Sequence, residues 1–164
     1  MPLVVCIGNE LVADDAVGFE IHARLAQLLP RGVRLEYCSV GGIALLDLLD
    51  GGEECMVVVD AMCLGAAVGT VHCMEFNDIP KSRANAISAH GIGLRETVEI
   101  GMALYPERMP GRIVLVGVEG RCFDLPRAYM SKEVAEALEP AVRKVLSLLQ
   151  VYNPSTNLAG SAVQ

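Results

Sequence analysis

Apolar positions along this chain come in two textures, short unbroken runs and longer amphipathic stretches. Residues 3–7 (Leu-Val-Val-Cys-Ile) are continuously apolar and end at Gly8-Asn9, which predicts a buried strand followed by a turn. Residues 33–38, 55–59 and 113–118 predict further strands, the second ending at Asp60 and the third bounded by Arg112 and Glu119. Between them, Val17, Ile21, Leu25 and Leu28 recur at helical spacing after Asp14-Asp15 and stop at Pro30. Residues 43–49 predict a short helix, and 91–105 a longer one with Leu94, Val98, Met102 and Tyr105 inward. Ser131 is placed to cap a last helix that turns Val134, Leu138, Val142, Val145 and Leu149 to one side. Pro140 should kink that helix or restart it. Residues 70–76 alternate less cleanly and predict an edge strand, 77–89 a polar loop.

Buried strands separated by helices predict an α/β fold with a mostly parallel sheet covered on both faces. Residues 1–150 form a single domain in this reading, and 151–164, uncharged and without periodicity, a loose tail. Doubly wound sheets bind ligands at the carboxyl ends of their strands, beside the point where strand order reverses. The notable polar residues of this sequence fall at those ends.

Charge narrows the function. Twenty acidic residues against 13 basic give a net −7, which disfavours nucleic acid and anionic membrane as partners. A 52% hydrophobic content excludes disorder in the body of the chain, and only 4% aromatics argue against a base-stacking module. Residues 1–7 lack a basic start and read as a core strand, not a leader. The longest apolar region, 56–69, is broken by Asp60 and is too short to span a bilayer. Six cysteines without a C-x-x-C pair point to small buried hydrophobes and a reduced, cytoplasmic compartment.

The loop after the first strand is no nucleotide cradle. It lacks G-x-G-x-x-G, the chain has no G-x-x-x-x-G-K-[ST], and two adjacent carboxylates would repel a phosphate. A G-x-S-x-G nucleophile turn is also absent, and Cys63 sits among apolar neighbours that favour an inert thiol. Singly, Asp14 or Asp15 reads as a helix cap, Asp60 as a turn residue and His90 as a loop histidine. Together they say more. A carboxylate after strand one, another after strand three and a neutral imidazole converge if those strands are neighbours, giving an open two-oxygen, one-nitrogen site for Ni²⁺ or Zn²⁺. Gly41-Gly42 is either a plain turn or a place where a peptide backbone passes closely. His22 and His72 are assigned to structure or surface.

From residue 3 to about 149 the chain resembles the hydrogenase maturation proteases. The likeness rests on Ile7-Gly8-Asn9-x-Leu11-x-x-Asp14-Asp15-x-x-Gly18, Val58-Val59-Asp60-Ala61, Ile87-Ser88-x-His90-x-x-Gly93-Leu94 and Leu115-Val116-Gly117-Val118. It implies a three-layer α/β/α sandwich around a five-stranded mixed sheet, with 70–76 as the one antiparallel edge strand. It further implies an endopeptidase that trims the C-terminus of a nickel–iron hydrogenase large-subunit precursor, a protein substrate, acting as a monomer. Asp15, Asp60 and His90 then contact a nickel ion supplied by that substrate and carry the catalysis, no nucleotide cofactor is needed, and Asp14 keeps the capping role. Gly41 and Gly42 would face the substrate. Where family members often have Asp-Gly-Gly-Thr-x-Gly, this chain has Val40-Gly41-Gly42-Ile43-Ala44-Leu45, and Ala16 replaces a common glycine, which marks a divergent branch. Two other readings are a non-catalytic module holding nickel or precursor, and a peptidyl-tRNA hydrolase, which also carries Gly-Asn after strand one; the acidic surface counts against the latter.

Overall fold

The structure is a computed structural model, and it describes residues 1–39, 41–81 and 93–152. His90 lies outside the described residues, as do Val40, most of the expected 77–89 loop and the expected tail beyond Tyr152.

Strands β1 (Leu3–Ile7), β2 (Arg34–Cys38), β3 (Cys55–Met62), β4 (Val71–Glu75) and β5 (Arg112–Glu119) form one sheet in the order β2-β1-β3-β5-β4. All neighbours are parallel except β4, which runs antiparallel to β5 at the edge. The expected five-stranded mixed sheet is therefore present. Strand β1 is wholly buried and β5 nearly so, which is why both read as unbroken apolar runs. Alternation sorts their side chains. Val4, Cys6, Val57, Val59, Val116 and Val118 face helices α1 (Val17–Leu28) and α3 (Lys132–Gln150). Leu3, Val5, Met56, Val58, Ile113 and Leu115 pack with α2 (Leu94–Leu104) and a 3-10 segment, Gly42–Leu48, on the opposite face. These are the three layers. No helix among the described residues is long and apolar enough to cross a membrane.

Several local expectations need correction. The short helix at 43–49 is the 3-10 segment just named; seven residues are too few for α-helical cooperativity to decide, and the tighter coil still buries Leu45, Leu46 and Leu49. In α2 the inward face is Thr97, Val98 and Gly101, whereas Met102 and Tyr105 are exposed. Gly101 is the reason: its missing side chain leaves room for Leu46 and Met109, so the helix leans on a small residue that apolar periodicity passes over. Leu28 ends α1 exposed. Helix α3 runs unbroken through Pro140, whose position is exposed, so the Glu136 carbonyl that loses its partner can be hydrated.

Gly18 governs how the first loop meets the sheet. A Cβ there would overlap the carbonyl oxygen of Ile7, so only glycine lets the first turn of α1 rest on the end of β1. Gly18→Ala should therefore cost about 3 kcal/mol, or about 6–12 °C in Tm. Gly52, which has nothing within 4 Å of its would-be Cβ, supplies the control: Gly52→Ala should melt close to the wild type. Equal melting of the two variants would contradict this packing.

Candidate active site

Strand order reverses between β1 and β3, which lie side by side in register from Leu3 opposite Met56 to Cys6 opposite Val59. The condition for the two acidic loops to converge is thus met. Asp60 does not end its strand, as the sequence suggested, but sits inside β3 opposite Gly117, because pairing with β5 continues to Met62. Strand alternation gives it the face of Met56 and Val58. The Ala61 N–H donates to Asp60 Oδ1 at 2.8 Å. Burial, and then the charge of Asp15, push the Asp60 carboxyl well above its usual range, and the Ala61 bond only partly offsets them. The pairing of β1 with β3 is what brings the Asp15 loop close enough for that repulsion.

Asp15 belongs to a 3-10 turn, Asp14–Ala16, that packs against β3 and leads into α1. It is buried, and the Asn9 N–H donates to its Oδ2 at 3.1 Å. The loop leading to it is pinned from several sides. Tyr37 Oη donates to the Gly8 carbonyl at 2.6 Å, Gly8 N–H to Cys38 at 3.2 Å, and Leu11 N–H to Asn9 Oδ1 at 3.0 Å. Gly8 itself has φ +152°, and a Cβ there would overlap the Asp15 carbonyl. Asp14 has a different duty from the cap expected for it. Its carboxylate is fully buried and accepts N–H bonds from Arg121 (2.8 Å), Cys122 (2.9 Å) and Ser131 (2.7 Å), with the Ser131 hydroxyl at 2.8 Å. Burial alone would raise this carboxyl; the four donors outweigh it and hold the group below its ordinary value. Ser131, for its part, makes no side-chain cap on α3, since its hydroxyl is spent on Asp14.

A cleft of about 100 Å³ opens from Asp60 between Met62, Cys63 and Leu64 on one side and Ile79, Lys81, Gly93 and Leu94 on the other, with Leu115 at its floor. Arg95 secures the second wall by donating to the carbonyls of Asn77 (3.1 Å) and Ile79 (2.7 Å). Cys63 is exposed on the rim, unlike the apolar burial its sequence neighbours suggested. Gly41 and Gly42 lie past the end of β2, where Gly42 has φ +71° and starts the 3-10 segment; they do not line this cleft. Among the described residues no three His, Cys, Asp or Glu side chains form a complete metal cluster.

One buried acid escaped the sequence reading. Glu119, which had marked only the end of a strand, binds His72 and three backbone N–H groups of the segment after β3. Its signal was the one used for Asp60, a carboxylate closing an apolar core run, where charge is expensive without partners.

Comparison with known proteins bears on the family and the fold. The family model for hydrogenase maturation proteases matches residues 40–148. A putative hydrogenase maturation protease of Methanocaldococcus jannaschii is 27% identical over 148 residues, covering 88% of this chain and 93% of the relative. Among solved structures, the hydrogenase maturating endopeptidase HybD of Escherichia coli superposes with a TM-score of 0.73 at 26% identity, covering 93% of each chain. The NiFe hydrogenase maturation protease HybD of Thermococcus kodakarensis gives 0.70 at 28% identity, over 90% of this chain and 97% of that one. With that model matched over most of the chain and the fold shared over 93% of its length, this protein belongs to the hydrogenase maturation proteases and is a hydrolase of peptide bonds.

Proposed function

We propose that this hydrolase removes a C-terminal peptide from the precursor of a nickel–iron hydrogenase large subunit, and that it reads the nickel already held by that precursor through Asp15, Asp60 and His90. The observation that carries the reading is the meeting of the two acidic loops at the switch point: β1 and β3 pair side by side, the turn that bears Asp15 packs against β3, and Asp60 opens on the cleft, which sets the two charges in conflict. A divalent cation brought between them relieves that conflict. The donors suit the ion: two carboxylate oxygens plus one imidazole nitrogen match a borderline metal and leave positions for the precursor's own cysteines and for water. His90 supplies the nitrogen; it stands three residues before Gly93, which lines the cleft with Asp60. Gly41 and Gly42 remain candidates for substrate backbone contact from the end of β2.

In this reading the substrate's nickel polarises the scissile carbonyl or the attacking water. The water oxygen bonds to the carbonyl carbon while its proton passes to Asp60, the carboxylate that lines the cleft. That proton then moves to the departing amide nitrogen as the C–N bond breaks. An ion check precedes the cut. Precursor loaded with nickel should lose a short C-terminal peptide on incubation with the protein, read as a mass decrease, and nickel-free precursor should keep its full mass. Equal cutting of both would remove nickel from the recognition step.

A further inference from the structure

Glu119 is 1% exposed, and the proposed hydrolysis makes no use of it. Its Oε1 accepts three consecutive backbone N–H groups, from Leu64 and Gly65 at 2.8 Å and from Ala66 at 3.1 Å. Its Oε2 lies 3.0 Å from Nε2 of His72. The backbone of the same residue fastens the far end of the segment, accepting from Gly69 at 2.8 Å and donating to Thr70 at 2.9 Å. Successive N–H groups turned toward one point form a nest for an anion. Here the anion is the chain's own carboxylate, delivered by β5 some fifty residues further along. The segment has no strand or helix to shape it, Gly65 takes φ +86°, and it carries Cys63 and Leu64 on the wall of the cleft beside Asp60.

We infer that Glu119 is a positioning residue for peptide hydrolysis: by gathering the N–H groups of Leu64, Gly65 and Ala66 it fixes the cleft wall against which the precursor peptide is seated. The inference rests on the reading that this cleft receives the precursor. It makes Glu119 act on substrate grip and leaves the chemical step to Asp15 and Asp60, which are held by other bonds.

Steady-state cleavage of nickel-loaded precursor tests it through KM against kcat. E119M keeps the length and loses every acceptor, so its KM should rise at least about tenfold while kcat stays within about threefold. E119Q can keep an oxygen on the three N–H groups and turn its amide toward His72, so it should recover most of that loss. E119D covers the case in which E119M fails to fold: charge is kept, reach is lost, and KM should rise as for E119M. Titration of precursor against these substitutions in an Asp60→Asn background reads the same wall without turnover. An unchanged KM and affinity in E119M and E119D, or a fall in kcat at constant KM, overturns the positioning role. Absence of cleavage by the wild type, with binding still sensitive to Glu119, would instead overturn the proposed hydrolysis at this cleft and support Glu119 only as the residue that shapes the precursor's seat.

Discussion

Asp60→Asn should abolish precursor cleavage and raise thermal stability in the same molecule. Asp60 is a proposed nickel contact and the proposed proton acceptor, so its amide should lower kcat/KM at least about 100-fold. Stability moves the other way because the native state holds this carboxyl above its unfolded value, through burial and the Asp15 charge. From about pH 4 upward the unfolded chain ionises Asp60 freely while the folded one resists, so the native state binds the extra proton. Stability from this group therefore falls as pH rises from the unfolded pKa to the raised folded one, and the full cost persists above it. Asn carries no such cost. At pH 7.5 the variant should melt about 2–4 °C higher for each kcal/mol released, and the gap to the wild type should shrink toward pH 4. A cleaving Asp60→Asn variant would exclude the residue from the chemistry, and one melting below the wild type would contradict the electrostatic conflict.

Asp14→Ala should be the costliest single change to the fold near the site. It strips the acceptors from the N–H groups of Arg121, Cys122 and Ser131 and from the Ser131 hydroxyl, all gathered on one fully buried carboxylate. With several buried donors left unpaired, the loss should be about 3–5 kcal/mol, a fall of about 6–20 °C in Tm. Because Asp15 is the next residue, activity should fall even where the variant is folded. The pH dependence has the opposite sign to that of Asp60. Asp14 is held below its ordinary value, so its contribution is present above the unfolded pKa near 4 and disappears as pH drops through the folded one. Denaturant titrations at pH 7 and near pH 2 should thus find a wide gap between wild type and Asp14→Ala at the higher pH and a narrow one at the lower. A constant gap would mean that the carboxylate's charge is not what holds these donors.

The two adjacent acids show where sequence reasoning stops. That a carboxylate follows β1 and another lies near the end of an apolar β3 was legible from local pattern, whereas the pairing of those strands was only a condition, which the strand order β2-β1-β3 meets. Which of Asp14 and Asp15 to pair with Asp60 was not legible from composition or spacing, and the choice of Asp15 came only from the resemblance. The physical reason is distance along the chain: the donors that occupy Asp14 lie 107 to 117 residues away, on the connection between β5 and α3. Ser131 was misjudged for the same reason, because its local cap geometry competes with a remote acceptor. Glu119 is the third case, a strand terminator by pattern and a loop organiser by contact. Helix α2 failed differently, through a glycine that packs closely and carries no hydrophobic signal. Strands buried on both faces report themselves; polar groups whose partners are distant do not.

Nickel X-ray absorption on the precursor, alone and freeze-quenched with the protein before turnover, probes the meeting of metal and carboxylates most directly. Oxygen and nitrogen neighbours should appear in the nickel shell on mixing, and fewer should appear with Asp15→Asn or Asp60→Asn. A shell that is the same with and without the protein would contradict the proposed contact.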